Sequence, residues 1–179
     1  MKLGASVAFI AMLALVGVAR GARVAVTCET SQLHVWVTHT DAGAGSIHGY
    51  FAFTNRGPSS CTLRGWPTVV AFRTGASTTA VRASYGPLAG YAKPVHGVPV
   101  VRLRPGSTAV AGFAVADHGA GATGACPPAF DQLRVTPPGN TVSTLIRSWR
   151  LSYMGHRIPA CSPIQVTQVV PASYLPPQG

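Results

Sequence analysis

Four cysteines behind an export signal constrain this chain more than any other feature, because an even cysteine count in an exported protein predicts disulfide bonds. Four cysteines allow three pairings. We favour Cys28 with Cys61 and Cys126 with Cys161, since each pair lies within one half of the chain. Each bond would close a loop of about 35 residues, worth roughly 3–4 kcal/mol through chain entropy. The sequence has no C-x-x-C pair, which disfavours a zinc site.

Residues 1–21 have the pattern of a secretory signal peptide. Lys2 supplies a positive charge, residues 3–18 carry no charge, and Ala-Arg-Gly at residues 19–21 suits a cleavage site. The apolar stretch is shorter than the roughly 20 residues that span a bilayer, which disfavours the alternative of a retained anchor. A lipid anchor on Cys28 would leave another cysteine unpaired. We therefore expect a secreted or envelope-associated protein with no transmembrane segment after signal cleavage.

The composition indicates a folded and strongly basic domain. Hydrophobic residues make up 47% of the chain and charged residues only 10%, which excludes a disordered protein. The 14 Lys and Arg face 4 Asp and Glu; losing Lys2 and Arg20 with the signal leaves 12 against 4, a net charge of +8. That charge favours anionic partners such as phospholipid head groups, teichoic-type polymers or acidic glycans, with an uncommitted basic surface as the alternative. Export argues against nucleic acid.

Short apolar runs alternate with Gly, Pro, Ser and Thr clusters, which is typical of an all-β domain. Residues 33–37 alternate with period two, and a second strand is predicted at residues 47–55. Strands at residues 100–103 and 108–115 flank Arg-Pro-Gly-Ser, which suits a type II turn. We predict one all-β domain over residues 22–170 and a flexible proline-rich tail over residues 171–179.

Two finer expectations concern how these strands connect. Pro67 should kink or end the strand that opens at Cys61, and the strand should resume at residues 69–72. The strands at residues 133–135 and 164–166 each follow a cysteine. If they are neighbours, a disulfide just before each would staple them side by side.

No catalytic set is evident. The acidic residues show no spacing typical of paired catalytic carboxylates, and no G-x-S-x-G motif is present. Residues 119–124 fit G-x-G-x-x-G, but Cys-Pro-Pro follows where a dinucleotide site needs a helix. We therefore predict no catalytic residue and no cofactor, with an envelope hydrolase built from a spatially assembled Ser/His/Asp set as the enzymatic alternative. The acidic residues are Glu29, Asp41, Asp117 and Asp131.

The chain also contains residue types that suit a metal site and a carbohydrate site. An imidazole-only copper or zinc site on His34, His39 and His48 would need the first two strands to pair in a suitable register. Scattered surface histidines are the commoner outcome, so we predict no metal ligands. A carbohydrate platform would use the three tryptophans, Trp36, Trp66 and Trp149. Core packing beside a disulfide explains Trp66 better.

The clearest candidates for contact with an anionic ligand are Arg102 and Arg104. They alternate with Val101 and Leu103, so they should share the solvent-facing side of one strand. Arginine offers bidentate donors to phosphate and carboxylate groups. Three other arginines are candidates to extend this patch, although sequence alone does not place them: Arg64, Arg134 and Arg150.

Several motifs resemble a family of secreted actinobacterial domains of unknown function, DUF4232. Phe-Thr-Asn at residues 53–55 and Cys-Thr-Leu-Arg-Gly-Trp-Pro at residues 61–67 resemble its central signature, with Trp66 where Tyr or Phe is more usual. Residues 101–109 resemble its proline–glycine hairpin, and residues 133–139 with Cys161 resemble its C-terminal portion. The resemblance runs from Cys28 to Val170. It implies an all-β fold, namely an immunoglobulin-like antiparallel β-sandwich, outside the cell or at its surface, and it brings no catalytic residue.

Overall fold

The computed structural model describes residues 26–43, 45–83, 95–116, 126, 129–147, 157–159 and 161–175. Within these ranges the strands, in chain order, are β1 (Leu33–Gly43), β2 (Ser46–Asn55), β3 (Cys61–Arg64), β4 (Thr68–Arg73), β5 (Ala76–Thr79), β6 (Val81–Arg82), β7 (Val100–Leu103), β8 (Thr108–Ala116), β9 (Gln132–Thr136), β10 (Thr144–Ile146), β11 (Gln165–Val166) and β12 (Val170–Pro171). Helical structure in the described ranges consists of two 3₁₀ turns, Thr30–Gln32 and Ala172–Tyr174. No helix in these ranges could cross a membrane. The all-β prediction is confirmed, while the predicted signal peptide and the G-x-G-x-x-G segment lie outside the described residues.

Three sheets form from these strands. The six-stranded sheet has the order β1-β2-β8-β11-β6, with β12 also paired to β8. The four-stranded sheet has the order β10-β9-β4-β5, and β3 pairs with β7 as a separate two-stranded ribbon. All pairs are antiparallel except β11 with β6, which is parallel, so the antiparallel prediction needs this one correction.

The alternation in β1 orients the strand as expected. Leu33 and Val35 are buried, whereas His34 and Trp36 face solvent, because successive side chains in a strand point to opposite faces. The neighbouring strand β2 is buried on both faces. Phe51 faces the main core, and Tyr50 faces a smaller apolar cluster on the other side of the sheet.

One buried cluster joins the sheets into a sandwich. It takes Phe53 and Phe113 from the six-stranded sheet, Val69 and Leu133 from the four-stranded sheet, and Leu63 from the ribbon. Because these side chains share one core, the sheets pack face to face, as predicted. The finer immunoglobulin-like arrangement stays a prediction.

Both predicted disulfides are present, Cys28–Cys61 and Cys126–Cys161. The described residues contain no free cysteine. Cys126 precedes β9 and Cys161 precedes β11. These two strands lie in different sheets, so the second disulfide does not join neighbouring strands.

The chain changes sheet at two turns where continuity was expected. After β3, Gly65 adopts a φ of 101° and Pro67 follows, so β4 joins the four-stranded sheet instead of resuming β3. Gly106 has a φ of 80° and the Ser107 N–H donates to the Arg104 carbonyl (2.9 Å), as a type II turn requires. This turn is not a hairpin, however, because β7 pairs with β3 and β8 pairs with β2.

The segment expected to be a C-terminal tail begins with ordered contacts. Pro171 belongs to β12, which pairs with β8. Tyr174 and Leu175 pack against the smaller apolar cluster around Tyr50 and Val110. Residues 176–179 lie outside the described residues.

Candidate anion-binding face

The outward side of the β3–β7 ribbon brings together two of the predicted arginines. Arg102 lies directly opposite Thr62, and Arg64 lies directly opposite Val100. The inward residues of the same strands, such as Leu63 and Val101, are buried. We call the outward group the β3–β7 face, made of Thr62, Arg64, Val100 and Arg102.

The register sets the spacing of the charges on this face. Arg64 and Arg102 are diagonal neighbours across an antiparallel pair, a relation that places side chains about 7–8 Å apart. Arg104 follows β7 by one residue and is exposed. Two residues of extended chain bring it roughly 7 Å beyond Arg102. Arg64 therefore joins the predicted pair, and three guanidinium groups lie along one short ribbon.

The segment around Cys28 forms hydrogen bonds along the edge of β3 that does not pair with β7. The Cys28 N–H donates to the Thr62 carbonyl (3.0 Å), and the Thr62 N–H donates to the Val26 carbonyl (2.9 Å). The Cys28–Cys61 bond closes the same contact covalently. Hydrogen bonds on both edges of β3 hold the backbone beneath Arg64 in place.

Asn55 positions the far end of the face, a role that sequence analysis did not assign. It is fully buried, and its Nδ2 donates to the carbonyls of Leu103 (3.1 Å) and Ser59 (2.8 Å). Its Oδ1 accepts from the Gly57 N–H (2.9 Å). Asn55 thus fixes the residue that precedes Arg104. The signal was the asparagine at the end of a predicted strand, next to turn-forming residues.

One apolar side chain borders the arginines, a feature that the sequence analysis does not assign. Val100 lies opposite Arg64 on this face and is 61% exposed. The face therefore presents aliphatic surface next to positive charge. Period-two alternation from buried Val101 would have located Val100.

The remaining arginine candidates lie elsewhere. Arg134 is on β9 of the four-stranded sheet, paired with Val70, and does not extend the β3–β7 face. Arg150 lies outside the described residues.

The prediction that Trp66 packs in the core is wrong. The Trp66 side chain is only half-buried, and its Nε1 donates to the Ala83 carbonyl (3.0 Å). Arg82 lies over the ring.

The histidines considered as metal ligands are spread along the first two strands. His34 pairs with Thr54, six residues along β2 from His48, a separation of about 20 Å. His39 sits at a bulge with a φ of 31°. The three do not share a site, and no group of three potential ligands of the His, Cys, Asp and Glu types occurs in the described ranges.

Strands β1 and β2 also carry residues considered for carbohydrate binding and for hydrolysis. His34 stacks with Trp36, with ring centroids 6.2 Å apart, and its Nδ1 lies 3.2 Å from an Arg56 guanidinium nitrogen. Trp36 is 40% exposed. Asp41 lies directly opposite His48, and Ser46 is two residues from His48 on the same side of β2. Trp149, Asp117, His118 and His156 lie outside the described residues.

Comparison with known proteins identifies a family without a described activity. A family model for a domain of unknown function (DUF4232) matches residues 28–169. The match begins at the first disulfide cysteine and covers the β3–β7 face. No curated protein and no solved structure matches the chain.

Proposed function

We propose, from the premise that the chain belongs to the DUF4232 family of domains of unknown function, that it is a non-catalytic module that binds anionic components of the cell envelope. It would act as a secreted or envelope-associated protein after loss of residues 1–21. Two disulfides support an oxidising compartment, where such bonds persist.

The observation that carries the proposal is the grouping of Arg64, Arg102 and Arg104 on one braced ribbon. Each guanidinium is permanently charged and offers a planar fork of donors to phosphate or carboxylate oxygens. Fixed spacing of several forks favours a repeating anionic partner, because successive contacts add without ordering a flexible loop. After loss of residues 1–21 the chain keeps 12 basic against 4 acidic residues, and this excess adds attraction at longer range.

Vesicle binding tests this proposal directly. The mature, oxidised protein is sedimented with vesicles of phosphatidylcholine alone or mixed with phosphatidylglycerol. We expect binding to the anionic vesicles at low salt and loss of most binding at high salt, since the Debye length at physiological salt is about 8 Å. Changing Arg102→Glu and Arg104→Glu together should weaken binding at least about thirtyfold, at about 1 kcal/mol for each basic residue lost near a charged membrane. Repulsion between the two new carboxylates and the anionic lipids adds to this loss.

A matched control variant distinguishes binding through the β3–β7 face from attraction by the net charge of the protein. Arg147→Glu with Arg157→Glu changes the net charge equally, and both residues are exposed outside the β3–β7 face. This control should bind the anionic vesicles nearly as well as the unmodified protein. Equal weakening by both double variants, or binding that is insensitive to salt, would show that the positive charge is a background property.

The second candidate function is the envelope hydrolase, for which the Asp41–His48 pair with Ser46 nearby is the motivating observation. A carboxylate beside an imidazole is part of the arrangement that activates a serine nucleophile. A fluorophosphonate probe distinguishes the two candidates. Labelling at a serine that is lost in His48→Ala would favour the hydrolase, whereas an unlabelled protein that binds anionic vesicles favours the module.

A further inference from the structure

A second basic feature lies on the outer side of the four-stranded sheet, where an open cleft of about 430 Å³ forms. Small-molecule sites typically span about 300–1,000 Å³. The cleft combines apolar, hydroxyl and cationic groups, and its lining includes Val70, Phe72, Arg73, Ala76, Ser77 and Arg134. This sheet is separate from the β3–β7 ribbon.

Arg134 is held over apolar surface in this cleft. It pairs with Val70 on β4 and with Leu145 on β10. Its guanidinium carbon lies 5.4 Å from the centre of the Phe72 ring, a cation–π contact. A guanidinium carries its five N–H donors in its own plane, so a ring beneath it leaves them available for hydrogen bonding. The contact therefore orders a long side chain while preserving its charge.

The neighbouring strand supplies a hydroxyl close to this charge. Ser77 on β5 pairs directly with Phe72 on β4, and its side chain is exposed. Val70 and Phe72 are each half-buried and provide apolar surface beside it. The residues that line the cleft include two arginines and no acidic residue, so its positive charge favours an anion from outside.

We propose that this cleft binds a small organic anion, namely a carboxylate or phosphate monoester on a compact apolar body. The anionic group pairs with Arg134 and accepts a hydrogen bond from the Ser77 hydroxyl, and the apolar body rests on Val70 and Phe72. An inorganic anion lacks the apolar body, and an uncharged aromatic lacks the partner for Arg134. Each of these binds more weakly than a molecule that combines both.

Nuclear magnetic resonance titration of the oxidised protein tests the site with benzoate and phenyl phosphate as probes. Phenol and inorganic phosphate serve as references. We expect saturable shifts of backbone amides in β4, β5 and β9 with the two probes, at a Kd about tenfold below that of either reference. Arg134→Gln should raise the Kd about tenfold or more, since a charge-assisted hydrogen bond is lost. Arg147→Gln, which is exposed and outside the lining, should leave the Kd unchanged.

The spectrum of each variant also reports whether it is folded. If Arg134→Gln does not fold, Ser77→Ala replaces it, with an expected increase in Kd of about threefold. Absence of saturable shifts in the unmodified protein, or an unchanged Kd in the folded variant, overturns the proposal. The Arg102→Glu, Arg104→Glu protein should still bind benzoate, so failure of this site and failure of the envelope-binding function are distinguishable.

Discussion

Replacing Asn55 should destabilise the domain more than any other single polar substitution on its strand. The side chain is fully buried and makes three hydrogen bonds to backbone groups of Gly57, Ser59 and Leu103. Asn55→Ala removes all three and leaves the Leu103 carbonyl buried without that donor. The same change loosens the end of β7 that precedes Arg104.

The magnitude follows from counting these bonds. A typical intramolecular hydrogen bond contributes about 0.5–1.5 kcal/mol net, and a group left buried without a partner costs more. Three bonds, one of them fully buried, give a loss of about 3 kcal/mol for Asn55→Ala. Asn55→Asp should cost more at neutral pH, because a carboxylate oxygen would replace the Nδ2 group that faces two carbonyl oxygens.

Urea unfolding of the mature, oxidised chain, followed by tryptophan fluorescence, measures both changes in the free energy of unfolding. Ser59→Ala is the matched control, because Asn55 contacts the Ser59 backbone carbonyl and the Ser59 side chain is exposed. The control should stay within about 0.5 kcal/mol of the unmodified protein. A loss below about 1 kcal/mol for Asn55→Ala, or a smaller loss for Asn55→Asp, would refute the bond count.

Three further predictions concern the covalent and packed framework. The double change Cys28→Ser, Cys61→Ser should lower the free energy of unfolding by roughly 3–4 kcal/mol, given a separation of 33 residues; an unchanged urea midpoint would contradict this. Gly49→Ala should cost about 2–3 kcal/mol, because the new Cβ would lie 2.8 Å from the His39 carbonyl oxygen, and a loss under 0.5 kcal/mol would disprove the close approach. Phe51→Ala should cost about 3–5 kcal/mol in the same assay, since the ring is fully buried; a smaller loss would mean that the core collapses around the gap.

Local patterns predicted much of the framework because they depend on near neighbours along the chain. Period-two alternation identified the buried side of β1 and the exposed side of β7, where Arg102 lies. Proline and glycine located the Arg104–Ser107 turn through their backbone preferences. Cysteine spacing favoured the pairing that the structure contains, Cys28 with Cys61 among them.

Which strands became neighbours was decided by tertiary packing. Turn residues indicate where a strand ends, but they do not indicate which sheet the next strand joins. The sheet that a strand joins depends on how the two sheets bury their apolar faces in one core. For this reason the family resemblance predicts a β7–β8 hairpin, and the two cysteines suggest that β9 and β11 are neighbours, whereas the structure divides each pair between two sheets.

The candidate sites show the same division between sequence and structure. Composition, cysteine count and alternation are properties of the chain, and from them the domain is predicted to be all-β, disulfide-bonded and strongly basic. The position of Arg64 beside Arg102, and of Arg134 over Phe72 on a different sheet, follows from strand pairing in the folded domain. Strand register brings together side chains that lie tens of residues apart in the sequence, and the preferences of neighbouring residues do not encode such long-range pairing.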